Sequence, residues 1–200
     1  RNVTGVQTCA LPICSGLAGA VKLMALSEAT RTGPDALLRI PYAADGKLGT
    51  VDRMVLSGHP IPSGLVFTSD GAKLYAALHH TNEIIAVDPA AKTVTARWKS
   101  ELAPFSLALS AGGERLYVSN RGHDSIAVFA IGATGDLSLL QHVGCGGHWP
   151  RFFLLMEDRN AMLVANERSG GIACLPLERD GRLRPAVGAT PVPGVVFLTE

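Results

Sequence analysis

Three stretches of this chain repeat one pattern in phase, and the repeat constrains the fold more than any other feature. The copies are PSGLVFTSDGAKLYAALHHTNEIIAVD, PFSLALSAGGERLYVSNRGHDSIAVFA and PRFFLLMEDRNAMLVANERSGGIACLP, which begin at Pro62, Pro104 and Pro150. In each copy a Leu or Met follows the proline by twelve residues, and an Ile follows it by twenty-two. A further start, PGVVFLTE, begins at Pro193. Self-similarity at a period of roughly 40 to 45 residues is typical of β-propellers.

Each copy has the pattern of short strands separated by turns. In the first copy, apolar or alternating runs occupy residues 65–68, 74–78, 84–87 and 94–98. The intervening segments contain glycine, asparagine or aspartate, which supply the positive φ angles that tight turns need. Four short antiparallel strands in each copy are typical of a propeller blade. The sequence therefore predicts an all-β fold: a β-propeller fragment of about four blades, each a four-stranded antiparallel sheet.

The repeat also predicts where the blades begin and end. We expect blades at about residues 59–101, 102–146 and 147–190, an imperfect blade at 15–58, and the first strand of a further blade at 191–200. In the imperfect blade, VKLMALS, ALLRIPYAADGKL and TVDRMVLSG are expected to supply the second, third and fourth strands. A propeller closes with about 4 to 8 blades. The chain is therefore expected to form an arc of a ring.

The first fourteen residues, RNVTGVQTCALPIC, are interpreted as an artefact outside the domain. Back-translation of residues 3–13 permits the nucleotide sequence of a standard short-read sequencing adapter, and such segments are excluded from fold reasoning. This interpretation leaves two of the four cysteines, Cys145 and Cys174. Two isolated cysteines indicate neither a disulfide framework nor a paired zinc site, and we expect both to be free thiols.

Charge and hydrophobicity exclude several classes of partner. The formal net charge is +1 and no run of Lys and Arg is present, which argues against binding to nucleic acid or to an anionic membrane. No uninterrupted apolar stretch reaches the roughly 18 residues expected of a membrane-spanning helix. Neither the compartment nor the oligomeric state is specified by the sequence, although we favour the cytoplasm.

Polar residues crowd toward one end of the predicted channel. In an up-and-down blade, the entry to the first strand and the loop between the second and third strands lie at the same end. Five of the six histidines fall in these segments and His142 does not. Convergent titratable groups predict a binding site, although such groups can instead tie blades together. The residues concerned are His59, His79, His80, Arg121, His123, Asp124, His148, Arg151, Glu167 and Arg168, with Trp149 expected to pack between blades.

Three segments resemble the seven-bladed β-propeller lactonase family, which includes 6-phosphogluconolactonase. They are LYVSNRGHDSIAVFAI, GGHWPRFFLLMEDRNAMLVANE and ATPVPGVVFLTE, and the resemblance covers about residues 59–200. It implies that the chain is the C-terminal portion of an incomplete seven-bladed ring. It also implies hydrolysis of a sugar lactone such as 6-phosphogluconolactone. The family site has an Arg at the position of Arg121, whereas Ser63 and His79 stand where the family has Arg and Glu.

Lactone hydrolysis requires a base that activates water and hydrogen-bond donors that stabilise the oxyanion. Arg121 is the candidate partner for the oxyanion or a phosphate, and His79 or His123 is the candidate base. The candidate substrate-binding residues are Arg151, His80, Glu167 and Arg168.

We expect no cofactor and no metal, because the channel mouth offers too few carboxylates to cage a hard cation. The expected partner is a small-molecule lactone, and the fragment alone is expected to be inactive because the site draws on blades that enclose one channel. The alternative is a non-catalytic propeller of the Tyr-Val-Thr-Asn repeat type, which would bind a protein or a small ligand.

Overall fold

The structure is a computed structural model that describes residues 20–26, 34–43 and 45–199. The segment interpreted as adapter, residues 1–14, lies outside the described residues. Fifteen strands form four sheets within the described part of the chain. The first sheet contains β1 (Ala20–Leu26), β2 (Ala36–Tyr42) and β3 (Asp52–Val55); the second contains β4 (Pro62–Phe67), β5 (Leu74–Leu78), β6 (Glu83–Asp88) and β7 (Thr93–Lys99). The third contains β8 (Pro104–Leu109), β9 (Arg115–Asn120), β10 (Ser125–Ile131) and β11 (Leu137–Gly144), and the fourth contains β12 (Pro150–Met156), β13 (Ala161–Asn166), β14 (Gly171–Pro176) and β15 (Gly188–Pro191).

All strand pairs are antiparallel, and the strand order within each sheet follows the chain. The single helical element of the described chain is a 3-10 turn, Glu157–Arg159, between β12 and β13. The described segments contain no helix that is long and apolar enough to cross a membrane. These observations confirm the predicted fold class, an all-β fragment of a propeller.

The first sheet and the last residues differ from a regular four-stranded blade. The first sheet has three described strands, which overlap the three stretches from which strands were expected. Residues 192–199 contain no strand in the structure, although a first strand was expected there. Val195 is nevertheless buried, and the Phe197 ring lies 4.5 Å from the Phe152 ring of β12. This segment therefore packs along the fourth sheet without forming a ladder.

The first strand of the second, third and fourth sheets, called the inner strand below, begins at the repeated proline. Proline lacks an N–H, so it is tolerated at the first position of a strand where no ladder bond is lost. Directly after Pro62, Pro104 and Pro150 the pairing register shifts, which marks a β-bulge. A bulge leaves a residue unpaired and re-aims its side chain.

The apolar core lies between consecutive sheets. One buried cluster joins the first sheet to the second, another joins the second to the third, and a third joins the third to the fourth. The middle strands β5 and β6 of the second sheet are buried over nearly their whole length, including Tyr75 and Ile84. A strand buried on both faces needs a partner on each side, and this requirement stacks the sheets in chain order.

Hydrogen bonds from a repeated tyrosine link neighbouring sheets at their outer turns. The hydroxyl of Tyr75 donates to the carbonyl of Gly135 at 2.8 Å, and the hydroxyl of Tyr117 donates to the carbonyl of Gly181 at 2.9 Å. In each case the acceptor lies in a turn of the following sheet. Burial raises the pKa of Tyr117 to about 12, so this hydroxyl stays a donor throughout the physiological pH range. The fourth sheet has Leu163 at this position.

We expect Tyr117→Phe to destabilise the chain by about 1 to 2 kcal/mol, because the ring stays and the Gly181 carbonyl loses its donor. Urea denaturation of the two proteins measures the difference. Tyr75→Phe should give a similar loss through Gly135. Equal stability of wild type and both variants would show that these hydroxyls do not lock the sheets together.

Candidate functional site

Three side chains at equivalent positions of successive sheets form a row, called the inner row below: His79, Arg121 and Glu167. Each directly follows the second strand of its sheet. The backbone N–H of each donates to the carbonyl of the residue before the repeated proline, at 2.9, 2.9 and 3.0 Å. Because the same backbone bond recurs in each sheet, the fold holds these three residues in equivalent places.

The β-bulges add a second set of side chains beside the inner row. Ser63, Phe105 and Arg151 directly follow the repeated prolines and are skipped in the pairing register. The Ser63 hydroxyl donates to the carbonyl of Pro104 at 2.9 Å, so it joins the second sheet to the third. Phe105 and Arg151 instead contact the inner row.

Arg121 is the central residue of the site. Its guanidinium lies 4.4 Å from the centre of the Phe105 ring and 4.7 Å from that of the Trp149 ring. Its Nη2 is 3.7 Å from Glu167, and its buried Nε has no hydrogen-bond partner among the described residues. Burial lowers the pKa of Arg121 to about 10, and the charge of Arg151 contributes in the same direction. The side chain therefore stays charged at neutral pH, held by aromatic rings and with donors available.

Glu167 is the carboxylate that balances this charge. Its two oxygens accept hydrogen bonds from Nη1 of Arg151 at 3.0 and 3.1 Å. The two side chains retain 23% and 29% of their exposure, so the pair is partly desolvated. A charge-assisted bond of this kind holds Glu167 between two guanidinium groups.

Trp149 forms one wall of the site. The Arg168 guanidinium lies 3.4 Å from the centre of the Trp149 ring, next to the contact with Arg121. A guanidinium is attracted to the face of an indole by the ring quadrupole. Trp149 was expected to pack between blades, and the structure shows that it also contacts two predicted site residues.

His79 lies on the other side of Phe105. The two rings meet edge to face with centres 6.1 Å apart, and the buried Nδ1 of His79 has no hydrogen-bond partner among the described residues. Burial and the nearby charge of Arg121 lower the pKa of His79, while the Pro104 carbonyl partly opposes them. His79 is therefore a neutral imidazole at pH 7.

The other predicted histidines lie outside these contacts. His80 is exposed and its Nδ1 is 3.0 Å from the carbonyl of His59. His123 contacts Ser125 through Nδ1 at 2.9 Å, and its ring lies 5.8 Å from that of His142. The described contacts therefore join Arg121, Arg151, Glu167 and Arg168 through shared partners and bring His79 to Phe105. They connect His123 to a histidine that was not assigned to the site.

Phe105 is the site residue that sequence reasoning missed. It contacts Arg121, His79 and, at 5.8 Å, the guanidinium of Arg151. The available signal was its position directly after the repeated proline, which is also the position of Arg151. An apolar residue at the start of a strand is assigned to the core by default, and only the bulge explains why it does not lie there.

The buried thiol of Cys145 is not a candidate nucleophile. Cys145 and Cys174 are free, and burial raises the pKa of Cys145 to about 11. A thiol is inert in this state because the thiolate is the reactive form. Within residues 20–26, 34–43 and 45–199, no group of three or more His, Cys, Asp or Glu side chains is arranged to hold a metal ion.

Comparison with known proteins identifies the family. Residues 86–199, more than half of the chain, match the family described as "Lactonase, 7-bladed beta-propeller". The chain belongs to the seven-bladed β-propeller lactonase family. A curated 6-phosphogluconolactonase of Bacillus subtilis (strain 168) is 36% identical over 93 residues, which cover 44% of this chain and 27% of that protein.

Solved structures share the fold of this chain. A protein from Lactobacillus plantarum matches with a TM-score of 0.73 and 23% identity, over 89% of this chain and 57% of that one. The periplasmic gluconolactonase PpgL of Pseudomonas aeruginosa matches with a TM-score of 0.65 and 17% identity, over 87% of this chain and 68% of that one. The 93 matched residues cover only about a quarter of the length of the Bacillus subtilis relative.

We expect Glu167→Gln to destabilise the chain by about 1 to 3 kcal/mol, because Arg121 and Arg151 lose their shared counter-charge in a partly desolvated place. The loss should shrink in high salt, which screens the remaining guanidinium repulsion. Urea denaturation at low and high salt measures both effects.

Glu83→Gln is the matched control, since Glu83 also pairs with two cations, Arg97 and Lys99, which are exposed. The Glu83 side chain retains 17% of its exposure, but its two cationic partners are solvated, so the loss should be smaller than at Glu167. Equal losses at both positions would contradict the proposed electrostatic role of Glu167.

Proposed function

We propose that this chain is part of a propeller that hydrolyses a sugar lactone at the mouth of its central channel. The observation that carries the proposal is the state of Arg121, a half-buried guanidinium held between two aromatic rings. Its Nε has no hydrogen-bond partner among the described residues, and its contact with Glu167 is long. A buried donor that lacks a partner costs free energy. A bound oxyanion or phosphate would satisfy it.

In this proposal Arg121 stabilises the charge that develops on the lactone carbonyl oxygen. Its planar fork offers several N–H donors, and the aromatic rings fix its plane without occupying those donors. Fixed donors aimed at a developing oxyanion are commonly worth two to three orders of magnitude in rate, about 10² to 10³. Arg151 and Glu167 orient the sugar, and Arg168 extends the cationic surface outward.

His79 is the proposed base. A neutral imidazole can accept a proton from water, and the lowered pKa of His79 keeps the imidazole neutral at physiological pH. Its Nδ1 has no hydrogen-bond partner among the described residues, so this nitrogen is not committed to the fold. His123 is the weaker candidate, because its Nδ1 is engaged by Ser125.

The charge of the site favours an anionic sugar lactone. Arg121, Arg151 and Arg168 carry three positive charges around one carboxylate, Glu167. The similarity to a 6-phosphogluconolactonase supports a phosphorylated substrate. No cofactor, nucleic acid or membrane is part of the proposal.

The proposed reaction belongs to the complete ring. The chain covers 57% and 68% of the two solved structures compared above, and we propose blades at about 59–101, 102–146 and 147–190 within such a ring. A site at a channel mouth needs the surrounding blades to enclose it, so we propose that these blades alone are inactive.

A ligand-binding propeller without catalysis is the second candidate. The observation that favours it is Ser63, whose hydroxyl bonds to the Pro104 carbonyl and so links the second and third sheets at a position where the family has Arg. In that case the same guanidinium groups would bind an anion and leave it unchanged.

We expect Arg121→Ala in the complete protein to lower kcat/KM for 6-phosphogluconolactone by about 10² to 10³. Arg121→Lys should recover part of the loss, because it restores the charge without the planar fork. Hydrolysis is followed as acid release, corrected for the spontaneous reaction. Arg159→Ala, an exposed arginine of the 3-10 turn, is the control and should match wild type. Unchanged turnover in Arg121→Ala would remove Arg121 from the site.

We also expect the acid limb of the kcat/KM profile to lie below pH 6.5, the ordinary pKa of histidine. The lowered pKa of His79 keeps the base-competent neutral form present as the pH falls to that lower value. His79→Ala should remove the limb and lower kcat/KM by about 10² to 10⁴. His59→Asn, which suits the positive φ of 47° at that residue, is the control and should keep the limb. A limb that survives in His79→Ala and disappears in His123→Ala would instead identify His123 as the base.

A further inference from the structure

We propose that Asp124 is a positioning residue that places the Trp149 indole against the guanidinium groups of Arg121 and Arg168. Its importance for catalysis rests on the function proposed above, whereas its effect on Trp149 does not. Asp124 was predicted to lie near the channel mouth, and Trp149 was expected only to pack between blades. The structure connects the two residues directly.

The connection consists of two hydrogen bonds to one carboxylate. Oδ1 of Asp124 accepts from the backbone N–H of Trp149 at 2.7 Å, and Oδ2 lies 2.8 Å from Nδ1 of His148. Burial opposes ionisation of Asp124, but the bonds from His148 and Trp149 outweigh it and lower the pKa of the Asp124 carboxyl. Asp124 is therefore an anion with both oxygens engaged.

Trp149 needs this anchor because its backbone is strained. Its φ is 67°, in the left-handed region that residues with a β-carbon rarely adopt. Such a conformation persists only where the surrounding structure enforces it. The Asp124 carboxylate, together with the bond from the Glu167 N–H to the Trp149 carbonyl at 3.0 Å, fixes the peptide on both sides of this residue.

The fixed backbone determines where the ring lies. The Trp149 ring contacts Arg168 at 3.4 Å and Arg121 at 4.7 Å. Arg121 has few other restraints: the Phe105 ring, and Glu167 at 3.7 Å. If the Trp149 peptide relaxed, the indole would leave and Arg121 would lose one of the two rings that set its plane.

An Asp or Asn side-chain oxygen that accepts from the N–H of a residue with positive φ is called the clamp below. The clamp recurs elsewhere in the chain, on residues that have no aromatic ring. Asp35 Oδ2 accepts from the N–H of Ile61 at 2.8 Å, and Asn82 Oδ1 accepts from the N–H of Ala103 at 2.8 Å. Ile61 and Ala103 also have positive φ, at 51° and 57°. The clamp is thus a general device of this fold for the strained residue before the inner strand. At Asp124 the clamped residue is an aromatic one that contacts site arginines.

The first test measures the Trp149 environment and needs no enzyme activity. The chain has two tryptophans, so Trp98→Phe leaves Trp149 as the single fluorophore. In that background Asp124→Gly tolerates the positive φ of 51° at this position and removes both acceptors. We expect acrylamide quenching of Trp149 to rise by about two- to fivefold, because loss of one exposed cation–π contact lowers the population of the packed indole by about that factor.

Two variants serve as controls for this measurement. Asp124→Asn keeps one oxygen acceptor, as Asn82 does at the equivalent position, and should leave quenching near the wild-type value. Asn82→Gly removes the same clamp from Ala103 and should also leave Trp149 unchanged. Quenching that stays at the wild-type value in folded Asp124→Gly would overturn the proposal, whether or not the protein hydrolyses lactones.

Trp149→Leu provides a second test that leaves Asp124 intact, in case Asp124→Gly does not fold. The Nε–Hε signals of Arg121 and Arg168 in NMR spectra should move, because the indole ring current is removed. In the complete protein, kcat/KM for 6-phosphogluconolactone should also fall about tenfold or more, as expected for loss of orientation. Asp124→Asn should retain activity. If the Arg signals do not move, the positioning role is wrong; if wild type shows no hydrolysis while the signals move, only the proposed function fails.

Discussion

The structure depends on the burial of sheet faces against the next sheet. The middle strands of the second and third sheets are apolar on both faces, and each buried cluster is shared by two consecutive sheets. Such sheets are not stable as separate layers with one face exposed to solvent. They stack radially in chain order, and equivalent residues of successive copies then occur at equivalent distances from one axis. The hydroxyls of Tyr75 and Tyr117 add a directional link to this non-directional burial.

Two backbone irregularities convert this regular stack into a candidate site. The bulge after each repeated proline releases one side chain from the ladder, and the left-handed residue before that proline turns the chain into the inner strand. Because both features recur in every complete sheet, the fold supplies the same side-chain positions several times. The residue types then decide what each position does: Ser63 links two sheets, Phe105 supports Arg121, and Arg151 binds Glu167.

The sequence was sufficient for the strands and insufficient for the contacts between copies. The periodic Leu, Ile and Pro positions predicted the sheets because hydrophobic alternation and turn residues are local signals. The proximity of Arg121, Arg151 and Glu167 followed from strand order. The aromatic contacts of Phe105 and Trp149 did not follow, because each ring touches a residue that lies well away from it in the chain. His123 shows the same limit. Its ring contacts that of His142 in the outer strand β11, and no local sequence pattern specifies this contact.

The inner row also shows why Arg121 is poorly explained as a structural residue. Its neighbours in the row are a neutral imidazole, His79, and a carboxylate, Glu167, which is bonded more closely to Arg151 than to Arg121. A half-buried cation that served only stability would be expected to have a short, saturated ion pair, since desolvation otherwise outweighs the attraction. The Arg121 guanidinium instead lies against two aromatic rings. These rings restrain its plane but offer no oxygen or nitrogen acceptor for its N–H groups. Stability alone would favour an apolar side chain of similar volume at this position. The arrangement is understandable if Arg121 binds an anionic ligand, because N–H donors that lack a protein acceptor among the described residues can stabilise a bound anion.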